Sequence, residues 1–339
     1  MQSTEASTAP AGSHERAAAR RRSGAADAPV VAVAWGMPTL VIHGGAGRIR
    51  AERQDAYRAG LAAALDAGFA VLDAGGSAVD AVCAAVASME DDPHAFNAGT
   101  GSALTESGTA ECDAAVMRSD GRAGAVACVT TSRHPVALAR RVLDEERHVL
   151  MVGSGAEALE PDPIDPRELI TETARASWRR WRDRRAAPET SATCGAVALD
   201  DAGRLAAATS TGGVLGQRPG RVGDAPIPGA GTWADPRVAI SCTGRGEAFL
   251  QAATARALAA DLEHGTDDRT AVRTRLAEVR ALHGEGGLIG VGADGRVLAA
   301  YDAPHMAWGW RRREGADVAE GWQVGDAPDI VVLPPPAQT

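Results

Sequence analysis

Thr193 opens a short apolar stretch, Thr193-Cys194-Gly195-Ala196-Val197, directly after a segment of quite different composition. Threonine favours strands, so on its own such a hydroxyl is more often a β-residue than a nucleophile. As the first residue of a cleaved chain it would carry both nucleophile and base. A free α-amino group, with an ordinary pKa of ~7.7–8.0, accepts the hydroxyl proton at neutral pH, and β-branching stiffens the side chain near that amine.

Three further segments group glycine, threonine and charge. Thr209-Ser210-Thr211-Gly212-Gly213 precedes Gly220-Arg221-Val222-Gly223-Asp224. The Arg221 and Asp224 pair reads either as a surface ion pair of little consequence or as a clamp for a zwitterion. In the clamp, the planar guanidinium takes a carboxylate and the aspartate takes an ammonium. Thr243-Gly244-Arg245-Gly246-Glu247 falls where a strand should pass into a helix. Backbone N–H groups there serve a helix cap or a developing oxyanion equally well. His43-Gly44-Gly45-Ala46-Gly47 ends an apolar strand; the chain contains no lysine, so a phosphate-cradling P-loop is excluded.

The elements that must position these residues follow from hydrophobic periodicity. Residues 39–43 read as a strand, 51–74 as a helix stopped by Gly75-Gly76, and 78–86 as a second helix capped by Ser77. A strand over 124–130 and a helix over 135–145 come next. Residues 193–199 and 204–211 form a hairpin about Asp200-Asp201-Ala202-Gly203. A strand over 238–243 leads into one helix over 247–262. Val272, Leu276, Val279 and Leu282 recur at helical spacing, and 288–291 pairs with 297–300 across Asp294-Gly295. Strands, then helices, then strands place the chain in the α+β class, with antiparallel sheets covered by helices. The Pro- and Arg-rich stretch 160–192, with Trp178-Arg179-Arg180-Trp181-Arg182, reads as an exposed helix or linker, a plain solvated segment. Residues 1–36 read as a disordered tail. The C-terminal residues 311–339 lack periodicity and read as trimmed or disordered, apart from an extra strand near 329–333.

A net charge of -9 argues against a nucleic-acid partner, because phosphate contact needs a positive field. No apolar run approaches the ~18 residues of a membrane span. The five cysteines are scattered without a C-x-x-C pair, so neither a zinc site nor a disulfide framework is expected. A reducing, cytoplasmic setting fits best.

Taken together, the motifs at His43, Phe96-Asn97-Ala98-Gly99, Thr193, Thr209, Gly220 and Thr243, in this order, resemble the plant-type asparaginase/isoaspartyl-peptidase family of N-terminal-nucleophile (Ntn) hydrolases. The likeness runs from about Leu40 to Trp310. It implies a four-layer αββα sandwich and a precursor that cuts itself between Ala192 and Thr193. The products would be an α chain (1–192) and a β chain (193–339), forming an αβ heterodimer that pairs into an (αβ)2 assembly. The resemblance implies Thr193 as nucleophile and Thr211 as support for its hydroxyl. Arg221 and Asp224 would hold the substrate's α-carboxylate and α-ammonium, and Thr243 with Gly244 the oxyanion and amide. His43, Gly44 and Gly45 would lie beside the nucleophile. Asn97 belongs to a loop whose backbone carbonyls, near Met89, Asp92 and Phe96, would hold a structural Na+; catalysis itself would need no cofactor. The implied substrates are L-asparagine and β-aspartyl dipeptides. Alternatives are an inactive, unprocessed scaffold protein and a glycosylasparaginase or taspase-like threonine hydrolase. Two departures stand out: Ala192 where the family usually has Gly, which bears on the rate of self-cleavage, and Asp302-Ala303-Pro304-His305, which bears on substrate preference.

Overall fold

The computed structural model describes residues 37–184, 193–324 and 330–336. The expected N-terminal tail, the scissile residue Ala192 and the end of the expected linker lie outside the described residues. Strand β1 (Thr39–Gly47) leads through a 3-10 turn into α1 (Gln54–Asp73) and α2 (Ala78–Glu90). Next come β2 (Cys112–Arg118), β3 (Ala123–Val129), α3 (Pro135–Glu145), β4 (Leu150–Val152), α4 (Ser154–Glu157) and α5 (Glu172–Arg184). The second half runs β5 (Cys194–Leu199), β6 (Leu205–Thr211), β7 (Thr232–Ala234), β8 (Val238–Gly244), α6 (Gly246–Ala252), α7 (Thr254–Glu263) and α8 (Asp268–Ala281). It closes with β9 (Gly286–Gly292), β10 (Val297–Tyr301), β11 (His305–Glu314), β12 (Asp317–Gln323) and β13 (Ile330–Leu333).

The strands form an eight-stranded sheet, β12-β11-β1-β5-β6-β2-β3-β4, and a five-stranded sheet, β13-β10-β9-β8-β7. Strand periodicity decides which side chains face which layer. Leu40 and Ile42 of β1 pack with α1 and α2, whereas Val41 between them packs with Ile289, Val291 and Ala299 of the facing sheet. On the far side of the small sheet, Val238, Ile240 and Cys242 pack under α6, α7 and α8, with Phe249 and Leu258. The layers are therefore α, β, β, α, as the resemblance implies. Strands covered on both faces show continuous apolar runs rather than alternation; this is why β5, with all six residues buried, reads simply as Cys-Gly-Ala-Val-Ala-Leu.

Three expectations need correction. The single helix over 247–262 is two helices, broken at Ala253, which has φ 47°. There the amides of Ala255 and Arg256 turn to the carbonyls of Ala230 and Gly229, at 3.1 and 2.9 Å. The described residues of the C-terminal stretch form strands: β11 pairs with β1 on one side and β12 on the other, while β13 is the extra strand beside β10. The Trp- and Arg-rich stretch is the helix of the two readings, α5, but it is not a plain solvated segment. Trp178 Nε1 donates to the Thr105 carbonyl at 2.9 Å, and only Ala174 of the helix is fully buried. Strand-forming polar and charged runs such as Arg311-Arg312-Arg313 hide their periodicity because each guanidinium finds a partner: Arg311 with Asp66 and Glu320, Arg313 with Asp73.

Small residues let the layers approach closely. A Cβ added to Gly124 of β3 would lie 2.2 Å from Leu143 N and 2.4 Å from Ala139 O, both backbone atoms of α3. Backbone cannot step aside as a flexible side chain can. Gly124→Ala should therefore cost about 2 kcal/mol or more of unfolding free energy. Gly155→Ala in α4, where an added Cβ meets nothing within 4 Å, should be near neutral. Urea unfolding of both variants checks this, and equal midpoints would mean α3 is not so tightly seated.

Candidate active site

Thr193 precedes β5, which lies between β1 and β6 in the middle of the large sheet. Its side chain is buried, and its Oγ1 donates to Thr211 Oγ1 at 3.1 Å. Thr211 Oγ1 also accepts from the amide of Gly213 at 3.1 Å, which pins the hydroxyl at the end of β6. Thr243 reaches across from the facing sheet. Its Oγ1 is 3.4 Å from the Thr193 carbonyl and accepts from Ala46 N at 3.3 Å. Gly244 follows with φ 143°, and a Cβ there would lie 2.3 Å from Glu285 O, so the turn out of β8 demands glycine.

His43 and Gly195 are register partners on β1 and β5. His43 Nε2 sits 2.9 Å from Ser241 Oγ, which is 2.7 Å from Thr209 Oγ1. Thr232 Oγ1 lies 2.6 Å from Thr209 Oγ1 and 2.9 Å from the Ala225 carbonyl. This buried chain of polar groups runs from beneath the nucleophile to the loop bearing Asp224. Burial pulls the His43 imidazole down to about 3, against an interaction with the Thr193 backbone, so it is neutral at physiological pH. Gly44 and Gly45 lie at a register shift in β1, where the ring of Phe96 is pressed against Gly44.

Arg221 and Asp224 share a recess with Thr193. The recess is lined by Thr193, Thr211, Gly213, Val214, Arg221, Gly223, Asp224, Gly244 and Gly246. Arg221 Nε donates to Glu247 Oε1 at 3.0 Å. Asp224 is buried, and its Oδ2 has no hydrogen-bond partner among the described residues. Burial pushes its carboxyl up to about 7, although its own backbone amide and Arg221 oppose the shift. A buried carboxylate with one oxygen unpartnered among the described residues, beside a guanidinium, has the two charges that an α-amino acid head group would need. The surface ion-pair reading of Arg221 with Asp224 is thus not the one the geometry favours.

Asn97 clamps the recess wall. Its backbone carbonyl accepts from Gly212 N at 2.8 Å, its Nδ2 donates to Gly213 O at 2.9 Å, and its Oδ1 accepts from Ala103 N at 2.6 Å. In the preceding loop, Met89 O accepts from Asp92 N and Asp92 O from Phe96 N, at 3.2 and 3.4 Å. Each carbonyl thus keeps one lone pair for a hard cation such as Na+.

Sequence reasoning missed Ser241, Thr232 and Asp113. Ser241 and Thr243 are polar residues two apart on an otherwise apolar strand, a period-2 signal that both face one side. Asp113 is buried behind the recess, where its Oδ1 accepts from Cys128 N at 2.8 Å; burial pushes it to about 7 despite that bond and Arg221.

Comparison with known proteins agrees with this geometry. The profile of a family described as asparaginase matches residues 36–320. An isoaspartyl peptidase/L-asparaginase of Mus musculus is 42% identical over 284 residues, covering 79% of this chain and 86% of its own. The isoaspartyl peptidase of Salmonella typhimurium is 43% identical, covering 80% of this chain and 95% of its own. That of Escherichia coli is 40% identical, covering 81% and 94%.

If Asp224 takes the ammonium of a head group, it does so only when ionised, and its folded value is about 7. Affinity for a free α-amino acid should therefore be constant above that pH and fall as pH drops through it. Calorimetric titration of L-aspartate between pH 5.5 and 8.5 checks this. Asp224→Asn should bind more weakly and lose the pH dependence; retention of the slope would assign it to another group.

Proposed function

The chain belongs to the asparaginase family, and on that premise we propose that it hydrolyses the side-chain amide of L-asparagine and of β-aspartyl dipeptides, releasing L-aspartate. The observation that carries this reading is the single recess holding the Thr193 hydroxyl together with Arg221 and Asp224. A nucleophile and an amino-acid head-group receptor meet there at side-chain distance.

The proposed chemistry has two stages. In the precursor, Thr193 Oγ1 attacks the carbonyl carbon of Ala192. The peptide C–N bond breaks as the nitrogen takes a proton, and water hydrolyses the resulting ester, which leaves Thr193 with a free amine. In the mature enzyme that amine takes the proton from Oγ1, which attacks the substrate's side-chain carbonyl. The oxyanion is stabilised by donors at Thr243 and Gly244. The C–N bond breaks, the departing nitrogen takes the proton as ammonia or an amino acid, and water then releases aspartate from the acyl-enzyme. The base assignment rests on exclusion as well as precedent, since His43 is held at about 3 by burial and is too weak a base for this task. Thr211 positions the hydroxyl, and its 3.1 Å contact supports that role.

The same reading makes the functional subunit an αβ heterodimer of 1–192 and 193–339, pairing into (αβ)2. It places Na+ on the carbonyls of Met89, Asp92 and Phe96 as a purely structural ion that stiffens the loop ahead of Asn97. The substrate is a small molecule or dipeptide. Among the described residues no helix is long and apolar enough to cross a membrane, and all five cysteines are free, three of them buried. We assign the protein to the cytoplasm on the cysteines. An inactive scaffold has no use for a complete Thr193, Thr211, Arg221, Asp224 and Thr243 set, which favours the enzyme.

Intact-mass measurement after incubation at neutral pH tests the reading. Wild-type protein should give two chains that divide before Thr193, whereas Thr193→Ala should stay a single chain of 34.7 kDa and turn over neither substrate. Two chains from Thr193→Ala would remove that residue from its role. Arg221→Leu should still be processed, because the precursor presents no free α-carboxylate, yet its KM for asparagine should rise by ~100-fold, or about 3 kcal/mol. Loss of processing to the same extent would point to misfolding.

A further inference from the structure

Helix α5 is seated against the outside of the recess wall. The indole of Trp181 lies so close to Gly216 that an added Cβ there would fall 2.1 Å from Cε2 and 2.2 Å from Cζ2. Trp178 packs over Gly108 and donates Nε1 to Thr105 O at 2.9 Å, with the Arg182 guanidinium 4.8 Å from its ring centre on the outer side. The two loops that receive these rings are bonded to each other: Gly216 N donates to Leu104 O at 2.7 Å and Glu106 N to Gln217 O at 2.8 Å. Gln217 then carries the contact inward. Its Oε1 accepts from Val214 N at 2.8 Å, and its amide is packed against Gly213. Gly213 and Val214 line the recess.

Among the lining residues, Arg221 and Asp224 carry the charge, with Gly223 and Gly246 close against them, whereas Thr211, Gly213 and Val214 are uncharged and linked through Gly213 N to Thr211 Oγ1. On the reading above, the substrate's head group lies against Arg221 and Asp224 and its side-chain carbonyl meets Thr193. The leaving group must then depart past Thr211 towards Gly213 and Val214. Ammonia asks nothing of that wall. An amino-acid leaving group has to lie against it.

We propose that α5 braces the leaving-group end of the recess, and that Trp181 is a positioning residue that sets how β-aspartyl dipeptides are accepted. Trp181 acts through Gly216 and Gln217 on the wall rather than by touching substrate. This proposal rests on the assignment of β-aspartyl dipeptides as substrates. The indole nitrogen of Trp181 has no hydrogen-bond partner among the described residues, so the contribution they show is the packing of the ring. That distinguishes it from Trp178, whose nitrogen is used.

The test uses the full-length protein with Trp181→Ala, Trp181→Phe and Gln217→Ala, following cleavage by intact mass and turnover of L-asparagine and β-Asp-Leu. Trp181→Ala should be processed and should keep kcat/KM for asparagine within about twofold, while KM for β-Asp-Leu rises about tenfold. Trp181→Phe should restore the dipeptide KM, because it restores ring packing and loses only an unused donor. Gln217→Ala, which cuts the link between helix and wall, should give the same split even if Trp181→Ala fails to fold. Equal effects on both substrates, or an unchanged dipeptide KM, would overturn the brace while leaving the hydrolase intact. A wild-type protein inert to both substrates would instead sink the functional reading on which the brace rests.

Discussion

The site hangs from a seam of polar side chains buried between the two sheets. His43, Ser241, Thr209 and Thr232 are buried among largely apolar neighbours, and a buried hydroxyl without a partner costs more than a bonded one returns. They satisfy one another in sequence and end on the carbonyl of Ala225. That constraint fixes the height of β5. The seam passes directly over Gly195, where a Cβ would meet Ser241 Oγ at 2.1 Å and His43 Nε2 at 2.6 Å. Only glycine allows the strand to lie this close. With Gly195 clamped, Thr193 two residues earlier has little freedom, and its hydroxyl falls against Thr211. The other end of the seam meets the loop that carries Asp224, so the proposed nucleophile and the proposed head-group receptor are referenced to one set of bonds.

The receptor itself works against stability. Asp224 and Asp113 are each pushed by burial to about 7, and Glu90, behind the nucleophile's strand, to about 8. A carboxyl whose folded value is raised binds its proton more tightly in the native state than in the unfolded chain. Stability from these groups is therefore greatest below the ordinary carboxylate range and declines as pH rises towards 7 and 8. An ammonium receptor needs the opposite condition, a charged Asp224. The chain tolerates the conflict by keeping Arg221 beside the pair and by giving Asp113 and Glu90 fixed donors, Cys128 N for the first and Ser210 Oγ with Val136 N for the second.

How much of this the sequence disclosed depended on whether the constraint was local. Helices α3 and α8 and the β5–β6 hairpin were legible because caps, turns and periodicity lie within a dozen residues; α3 spans 135–145 as expected. The break at Ala253 was not, because a contact with Gly229 and Ala230 decides it and nothing in 247–262 signals it. Strands β11 and β12 were hidden for a similar reason, their arginines being paired with carboxylates from elsewhere in the chain. Thr193, Thr211, Arg221, Asp224 and Thr243 were legible only as a set, since each alone has a sound structural reading. Ser241 and Thr232, which hold the set in place, sit in ordinary strands. Their meaning appears only when two sheets face each other. The Trp178 and Trp181 pair looked solvated because three of its four chain neighbours, Arg179, Arg180 and Arg182, are arginine, yet both rings pack on glycines of other loops.

The order of strands bears on what a cut before Thr193 would do. In the large sheet, β12 and β11 come from the second half of the chain, β1 from the first, β5 and β6 from the second, and β2, β3 and β4 from the first. Strand β1 is bonded along its length to β11 on one edge and β5 on the other, and β2 is bonded to β6. Breaking one peptide bond at the head of β5 severs none of these ladders. The two products could separate only by tearing three strand pairings in the interior of a sheet covered on both faces. The topology thus makes room for a central strand to begin with a free amine, at a position reached from both halves, without asking a new interface to hold the pieces together. Cleavage would change the chemistry at residue 193 and leave the fold's energetics almost as they were.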